Sequence, residues 1–272
     1  MKITKASGQA EEFSAKKLTN SLTSIGVSQD VTKQALQLVK DNLSSDTDTH
    51  KVHNIVSQYL SQHSHPLQRL NYNLKRAIFK LGPTGYPFEH FMAKILREFG
   101  YQAKVGAILN GKCVAHEIDI VAKKDNQVFY IECKFHNRPG LKTDIQTALY
   151  TQARFEDVSG AANSPNLDHH SWLMTNTKTT TDANSYAKCQ NMKLTSWSYP
   201  KKESLFHLVV GSKLHPITAI NSLLPDQVET LLKQNIITLK DLSHQLKNNR
   251  LAYLLSKEEI KKIKEEITAI YS

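Results

Sequence analysis

Apolar residues recur with helical spacing through the first eighty residues. Leu18, Leu22 and Ile25 lie three and four apart. So do Val31, Ala35, Leu38 and Val39, then Val52, Ile55, Val56 and Leu60, and finally Leu67, Leu70, Leu74, Ile78 and Leu81. This spacing lines one face of a helix and predicts four amphipathic helices. Ser14, Ser28 and Thr49 stand where the first three need N-caps, because a side-chain oxygen there satisfies an amide that the first turn leaves open. Ahead of them, residues 2–5 and 10–13 flank Ser7-Gly8, which predicts a short β-hairpin. Gly82-Pro83 interrupts the pattern and sets the expected end of a first domain at residue 82.

The pattern then changes. A helix over 87–99 carries Phe91, Ile95 and Leu96. Strand-like runs follow at 101–109, 113–122 and 128–135, the last two joined by Lys124-Asp125-Asn126-Gln127 in a hairpin. A helix at 142–155, a strand at 171–175, a helix at 182–189 and a strand at 193–198 complete the segment. Strands interleaved with helices at this spacing predict an α/β/α sandwich over residues 83–205. Residues 206–272 read as a small all-α domain. Pro225 suits a first helical position. Thr238 precedes Leu239, Leu242 and Leu246, and Ser256-Lys-Glu-Glu259 is a capping box ahead of Ile260, Ile263, Ile267 and Ile270.

Composition narrows the classes. The chain has 272 residues, 40% of them hydrophobic, enough for real cores. Its formal charge of +10 is spread along the chain and not gathered in a tail, which favours a polyanionic partner. Cys113, Cys133 and Cys189 are an odd number without a CxxC pair, so neither a disulfide framework nor a structural zinc site is expected. His90, His136, His169 and His170 fit no zinc spacing either. There is no apolar signal core at the N-terminus and no run of 18 apolar residues, so the expectation is a cytoplasmic protein without a membrane span.

The hairpin carries the chemistry. One strand, Val114 to Val121, holds Asp119; the next, Val128 to Phe135, holds Glu132 and Lys134. Alternation puts Glu132 and Lys134 on one face and Ile131, Cys133 and Phe135 on the other. Charges inside an apolar strand are costly unless paired or bound to something. Pairing Asp119 across the hairpin with Glu132 would set two carboxylates side by side, an arrangement that a hard divalent cation, Mg²⁺ or Mn²⁺, relieves. Glu117 shares the face of Asp119 and is expected to be a solvated strand residue.

With these residues in place, residues 84–200 resemble the Mrr-like restriction endonucleases of the PD-(D/E)xK nuclease superfamily. Gly85 to Phe91 is similar to that family's first helix, His116-Glu-Ile-Asp119 to its acidic strand, and Ile131-Glu-Cys-Lys-Phe135 to its (E/Q)-x-K strand. Trp172 to Thr177 and Asp182 to Ala187 resemble its later strand and helix. The resemblance implies that Asp119 and Glu132 bind metal with the backbone carbonyl of Cys133, and that Lys134 is the catalytic lysine. It also implies that Glu89 contacts metal through water and that Gln146 is a polar active-site residue. Ile118 stands where many members have proline.

Ile3-Thr-Lys-Ala-Ser-Gly8, Phe13-Ser-Ala-Lys-Lys-Leu18 and Thr49-His-Lys-Val52 resemble the ATP-cone domain, a strand hairpin capping a helical bundle. That likeness implies nucleotide binding by Lys5, Gly8 and Lys17. Ala6 replaces the family's usual basic residue and Ser14 its usual aspartate. No Walker-type loop is present, so ATP is expected as a regulator and not a fuel. Leu224-Pro-Asp-Gln-Val and Ile236-Ile-Thr-Leu-Lys-Asp-Leu resemble helix-hairpin-helix modules without their usual glycine; such a tail would grip DNA backbone or serve packing. The expected architecture is therefore a multi-domain α/β protein, with a helical cone, a restriction-endonuclease-like sandwich and a helical tail. Its expected function is Mg²⁺-dependent DNA cleavage in restriction, defence or repair, modulated by ATP in a homo-oligomer. The alternatives are a nucleotide-responsive DNA-binding regulator with an inactive nuclease fold, and a nuclease for RNA or branched DNA.

Overall fold

The computed structural model describes residues 2–5, 7–44, 47–162 and 166–272. Its contacts divide into two compact units. One comprises Met1–Ala77, Ala219–Leu224 and Ser243–Ser272, the other Ile78–Thr218 and Pro225–Leu242. Residues 206–272, expected as a domain of their own, are divided between the two.

In the first unit, strands β1 (Lys2–Thr4) and β2 (Ala10–Glu12) form an antiparallel hairpin, and helices α1 (Ala15–Ser24), α2 (Gln29–Asp41), α3 (Thr49–His63) and α4 (Pro66–Phe79) follow. Leu18, Leu22, Val27, Ala35, Val39, Val52, Val56 and Leu60 form the buried cluster that the helical spacing predicts, and Phe13 packs against it from the hairpin. The Ser14 and Ser28 side chains accept the amides of Lys17 and Val31. The third cap is corrected: Asp48, not Thr49, takes the Lys51 amide at 2.7 Å, and Thr49 is the first helical residue. An aspartate one residue earlier makes the same bond with a full charge, which the positive helix end favours.

His53 of α3 stacks on Tyr72 with ring centroids 4.6 Å apart. Burial, helped by Arg76, pushes its pKa from 6.5 down to about 4. The unfolded chain takes up this proton near 6.5 and the folded one only near 4, so the group costs stability as pH falls through that window. Carboxylates with raised pKa, described below, act in the opposite direction, so the comparison must be with a variant. His53→Phe keeps the stack. Relative to the parent it is expected to gain about 2 kcal/mol on going from about pH 7.5 to about pH 4.5. Denaturant midpoints of both proteins at both pH values check this, and a pH-independent difference refutes it.

The second unit opens with helix α5 (Tyr86–Glu98). Strands β3 (Gln102–Asn110), β4 (Ala115–Lys124) and β5 (Gln127–Lys134) follow, then the two-residue strand β6 (Lys142–Thr143) and helix α6 (Ile145–Ala161). Strand β7 (Asp168–Thr175), the two-residue β8 (Lys178–Thr179), helix α7 (Thr181–Cys189), β9 (Lys193–Thr195) and helix α8 (Leu205–Ser212) complete the run. The main sheet has the order β3-β4-β5-β7-β9. The β3, β4 and β5 pairings are antiparallel, and β7 and β9 are added parallel. Ala148 of α6, Ala183 and Ala187 of α7, Leu173 and Leu194 share one apolar cluster on one face of the sheet. On the other face α5 sits with Phe88 5.5 Å from Phe135. This is the expected α/β/α sandwich. Helix α6 starts three residues later than the pattern predicts, because Asp144 caps it through the Thr147 amide and Lys142–Thr143 instead pair with β8.

Three helices follow: α9 (Pro225–Lys233), α10 (Leu239–Lys247) and α11 (Lys257–Tyr271). The α9–α10 turn has Asn235 at φ 59°, so asparagine fills the left-handed position usually given to glycine. The amides of Ile237 and Thr238 that open α10 are already bonded to the Asp241 carboxylate, at 3.2 and 3.0 Å. A turn whose amides are so occupied does not offer them to a phosphate.

Candidate active site

Strands β4 and β5 are joined by Asp125-Asn126, with Asp125 at φ 51°, and pair from Lys124–Gln127 up to Ile120–Ile131. One step further the same register would set Asp119 opposite Glu132. The ladder ends there, and Asp119 Oδ2 instead accepts the Cys133 N–H at 2.7 Å. The β3–β4 ladder is interrupted at the same residue. Val105 pairs with Ile120 and Ala107 with Ile118, but the intervening Gly106–Asp119 pair is missing. Gly106 has φ 65°, open to a residue without Cβ. Ile118 and Val121 both pack in the cluster of Tyr130 and Val158, although three residues apart in a regular strand would face opposite ways. The alternation therefore slips at Asp119, and its carboxylate is turned toward the backbone of β5.

Glu132 is half-buried and its Oε2 receives Arg154 Nη1 at 2.6 Å. The same Nη1 donates to the Glu117 carbonyl at 3.0 Å. The guanidinium stacks 4.5 Å over the Tyr150 ring and bonds its hydroxyl. Glu89 lies on the first turn of α5; a Cβ added at Gly85 would stand 3.3 Å from Glu89 Oε1 and 3.9 Å from the Phe135 Cβ, which puts Glu89 beside the end of β5. Burial, then Asp119, Glu117 and Glu132, push Glu89 up to about 7. Burial and Asp119 push Glu132 up to about 7, against the pull of Arg154 and Lys134. Asp119 is raised by burial, opposed by the Cys133 amide and Arg154. Burial raises the Cys133 thiol well above its ordinary value, so it stays protonated. Four carboxylates thus feel one another across α5, β4 and β5, with Lys134 exposed at the end of β5.

This donor set suits a hard divalent cation. Mg²⁺ keeps several waters and takes one or two carboxylates. The hydrogen bonds named occupy only Oδ2 of Asp119 and Oε2 of Glu132. Among the described residues, no group of three or more Asp, Glu, His or Cys side chains is placed to hold a metal ion, so the side-chain donors here are the two carboxylates.

The structure thus brings Glu89, Asp119, Glu132 and Lys134 into one electrostatic neighbourhood. Gln146 is exposed on the first turn of α6, and no described hydrogen bond joins it to the carboxylates. Arg154 was not anticipated. Its signal is spacing: Gln146, Tyr150 and Arg154 are i, i+4 and i+8, one face of a helix.

In the cone, Lys5 and Lys17 converge on a single oxygen, Glu11 Oε2, at 2.8 and 2.9 Å. Both cations hold Glu11 below the usual carboxylate range. Gly8, at φ 80°, is exposed at the turn, and a Cβ there would meet nothing within 4 Å. Ala6 lies outside the described residues.

Comparison with known proteins matches three successive segments of the chain. Residues 1–77 match the ATP cone domain, 83–198 the restriction endonuclease family, and 215–271 the AF1548-like C-terminal family. The last covers the segment that resembles helix-hairpin-helix modules. An uncharacterized protein of Archaeoglobus fulgidus is 38% identical over 151 residues, covering 56% of this chain and 83% of its own. The crystal structure of AF1548, a protein of unknown function, superposes with a TM-score of 0.57 at 35% identity, over 69% of this chain and 97% of that one. The chain belongs to the family of these AF1548-like proteins, and it joins an N-terminal ATP cone to a restriction-endonuclease domain and an AF1548-like C-terminal domain.

Proposed function

We propose that the chain is a divalent-metal-dependent endonuclease acting on DNA, with ATP or a related nucleotide acting through the cone. The observation that carries this is the interruption of both ladders at Asp119. It delivers that carboxylate to the β5 strand bearing Glu132 and Lys134, within a cluster of mutually repelling acids. Asp119 and Glu132, with the Cys133 carbonyl, would hold Mg²⁺ or Mn²⁺. The bound ion would supply an acidified water and a screen for charge on the phosphate. Lys134, a cation at the rim, orients the attacking water or stabilises the developing negative charge. Glu89 orders solvent beside the carboxylates, Gln146 lines the approach along α6, and Arg154 favours the ionised form of Glu132 and fixes its side chain. The test is plasmid DNA, methylated and unmethylated, incubated with Mg²⁺, Mn²⁺ or chelator. Nicked or linear product only with metal is expected; product in chelator overturns the metal role, and intact plasmid in every condition overturns the DNA substrate.

For the cone, the two ammonium groups already converge on one carboxylate oxygen, which supports an anion site at Lys5, Gly8 and Lys17. Calorimetry of the full chain with ATP is expected to register binding. Lys5→Ala and Lys17→Ala are each expected to weaken it by about tenfold or more, the worth of a charge-assisted bond. Sedimentation with and without ATP then reads any change in oligomer. Binding indifferent to both substitutions would move the nucleotide elsewhere.

A further inference from the structure

A nuclease must also seat the backbone that it cuts. We propose that Lys142 and Lys178 form a two-point clamp for a nucleic-acid backbone beside the candidate site; this rests on the DNA reading above. The pair is set by the two-residue strands. β6 and β8 run parallel with Lys142 opposite Lys178 and Thr143 opposite Thr179. Successive side chains face opposite ways, and both lysines are exposed while Thr143 is buried and Thr179 half-buried. The lysines therefore share the outer face, one strand spacing apart, and the threonines the inner one.

The inner face is fastened to the strands that carry the chemistry. Thr143 Oγ1 lies 2.8 Å from Thr175 Oγ1, 3.2 Å from Thr177 Oγ1 and 3.1 Å from His136 Nε2. The Asn176 side chain accepts the His136 amide at 2.9 Å and donates to the His136 carbonyl at 2.8 Å. That bridge ties the chain just past the last β5–β7 pair, Lys134–Thr175, with the side chain of Asn176 one residue on and His136 two residues on. The lysine pair thus stands on a braced platform just beyond the carboxyl end of β5, where Lys134 ends the strand.

Two lysines on neighbouring strands of one face repel each other. Among the described residues neither lysine joins an ion pair. Asp144, next to Thr143, is engaged in capping α6, and the exposed Asp182 sits in the first turn of α7. Phosphates would neutralise the pair. An open, outward-facing pair suits a continuous backbone, which releases counterions on contact, better than a small ligand, which needs enclosure.

The experiment follows anisotropy of a labelled DNA duplex binding to the full chain in chelator, across a salt series. Lys142→Met/Lys178→Met is expected to make the log–log salt slope shallower by about 1.8, since each phosphate contact contributes roughly 0.9. Affinity at about 0.1 M salt is expected to fall tenfold or more. Lys142→Arg/Lys178→Arg should keep the slope, and Mn²⁺ binding measured by calorimetry should be unchanged in both. An unchanged slope in the Met variant, while the parent binds DNA, overturns the clamp and leaves the nuclease reading standing. A parent that shows no salt-dependent DNA binding overturns both. Pyrophosphate binding lost in the Met variant, with the DNA slope intact, marks a free-phosphate site and overturns the backbone assignment.

Discussion

Asp119→Asn is expected to cut plasmid about 10²–10³-fold more slowly than the parent with Mg²⁺ or Mn²⁺, the scale of losing one preorganised group that stabilises a transition state. Glu132→Gln and Lys134→Ala should lose comparable activity. Asp119→Asn should fold, because the asparagine oxygen can still accept the Cys133 N–H that Asp119 Oδ2 now takes. It should even gain stability. Asp119 is among the charges that push Glu89 and Glu132 up to about 7, so its neutralisation removes repulsion that is present above about pH 7, where those acids are ionised. The sign follows from linkage. A carboxyl whose folded pKa is raised above 4.5 destabilises the fold as pH rises through the raised value. Denaturation midpoints at about pH 8 should therefore rise in the variant, with little change at about pH 5. Cutting at the parental rate would sink the metal site. Lost cutting together with lost stability at both pH values would make Asp119 a structural residue.

The second large effect belongs to Arg154. Its Nη1 holds Glu132 at 2.6 Å, with side chains only 16% and 17% exposed. Removing one partner of such a pair strands the other charge. Full burial would cost about 3–5 kcal/mol, and the residual exposure brings the expected loss for Arg154→Met to about 2–3 kcal/mol at pH 8. At about pH 5.5 the loss should shrink, because Glu132, deprived of the cation that lowers its pKa, is then protonated. The double variant Arg154→Met/Glu132→Gln should recover most of the stability. Urea midpoints of the parent, both single variants and the double variant give the coupling directly. Additive losses would mean that Arg154 stabilises through Tyr150 and the Glu117 carbonyl, and not through Glu132.

Local chemistry accounts for how much of this was legible. The cone helices and their Ser14 and Ser28 caps follow from spacing and from the need to satisfy first-turn amides, both properties of a few neighbouring residues. The β4–β5 hairpin follows from a polar turn between two apolar runs, and with it the nearness of Asp119 to Glu132 and Lys134. What spacing could not carry was the slip at Asp119. Strict alternation holds only while the ladder is regular, and the irregularity depends on Gly106, thirteen residues upstream on another strand.

The sequence by itself determined most of the elements, their order and the identity of the acidic strand pair, because these rest on periodicity and residue chemistry within short windows; the two-residue strands β6 and β8 and helix α8 were not among them. Only the tertiary structure decided what surrounds them. Arg154 meets Glu132 because α6 packs across the sheet, twenty-two residues later in the chain. Glu11 gathers Lys5 and Lys17 because the hairpin lies beside the start of α1. Lys142 meets Lys178 because β5 and β7 run parallel and end together. Each is a contact between segments distant in sequence, and such contacts arise from packing, which no local pattern encodes.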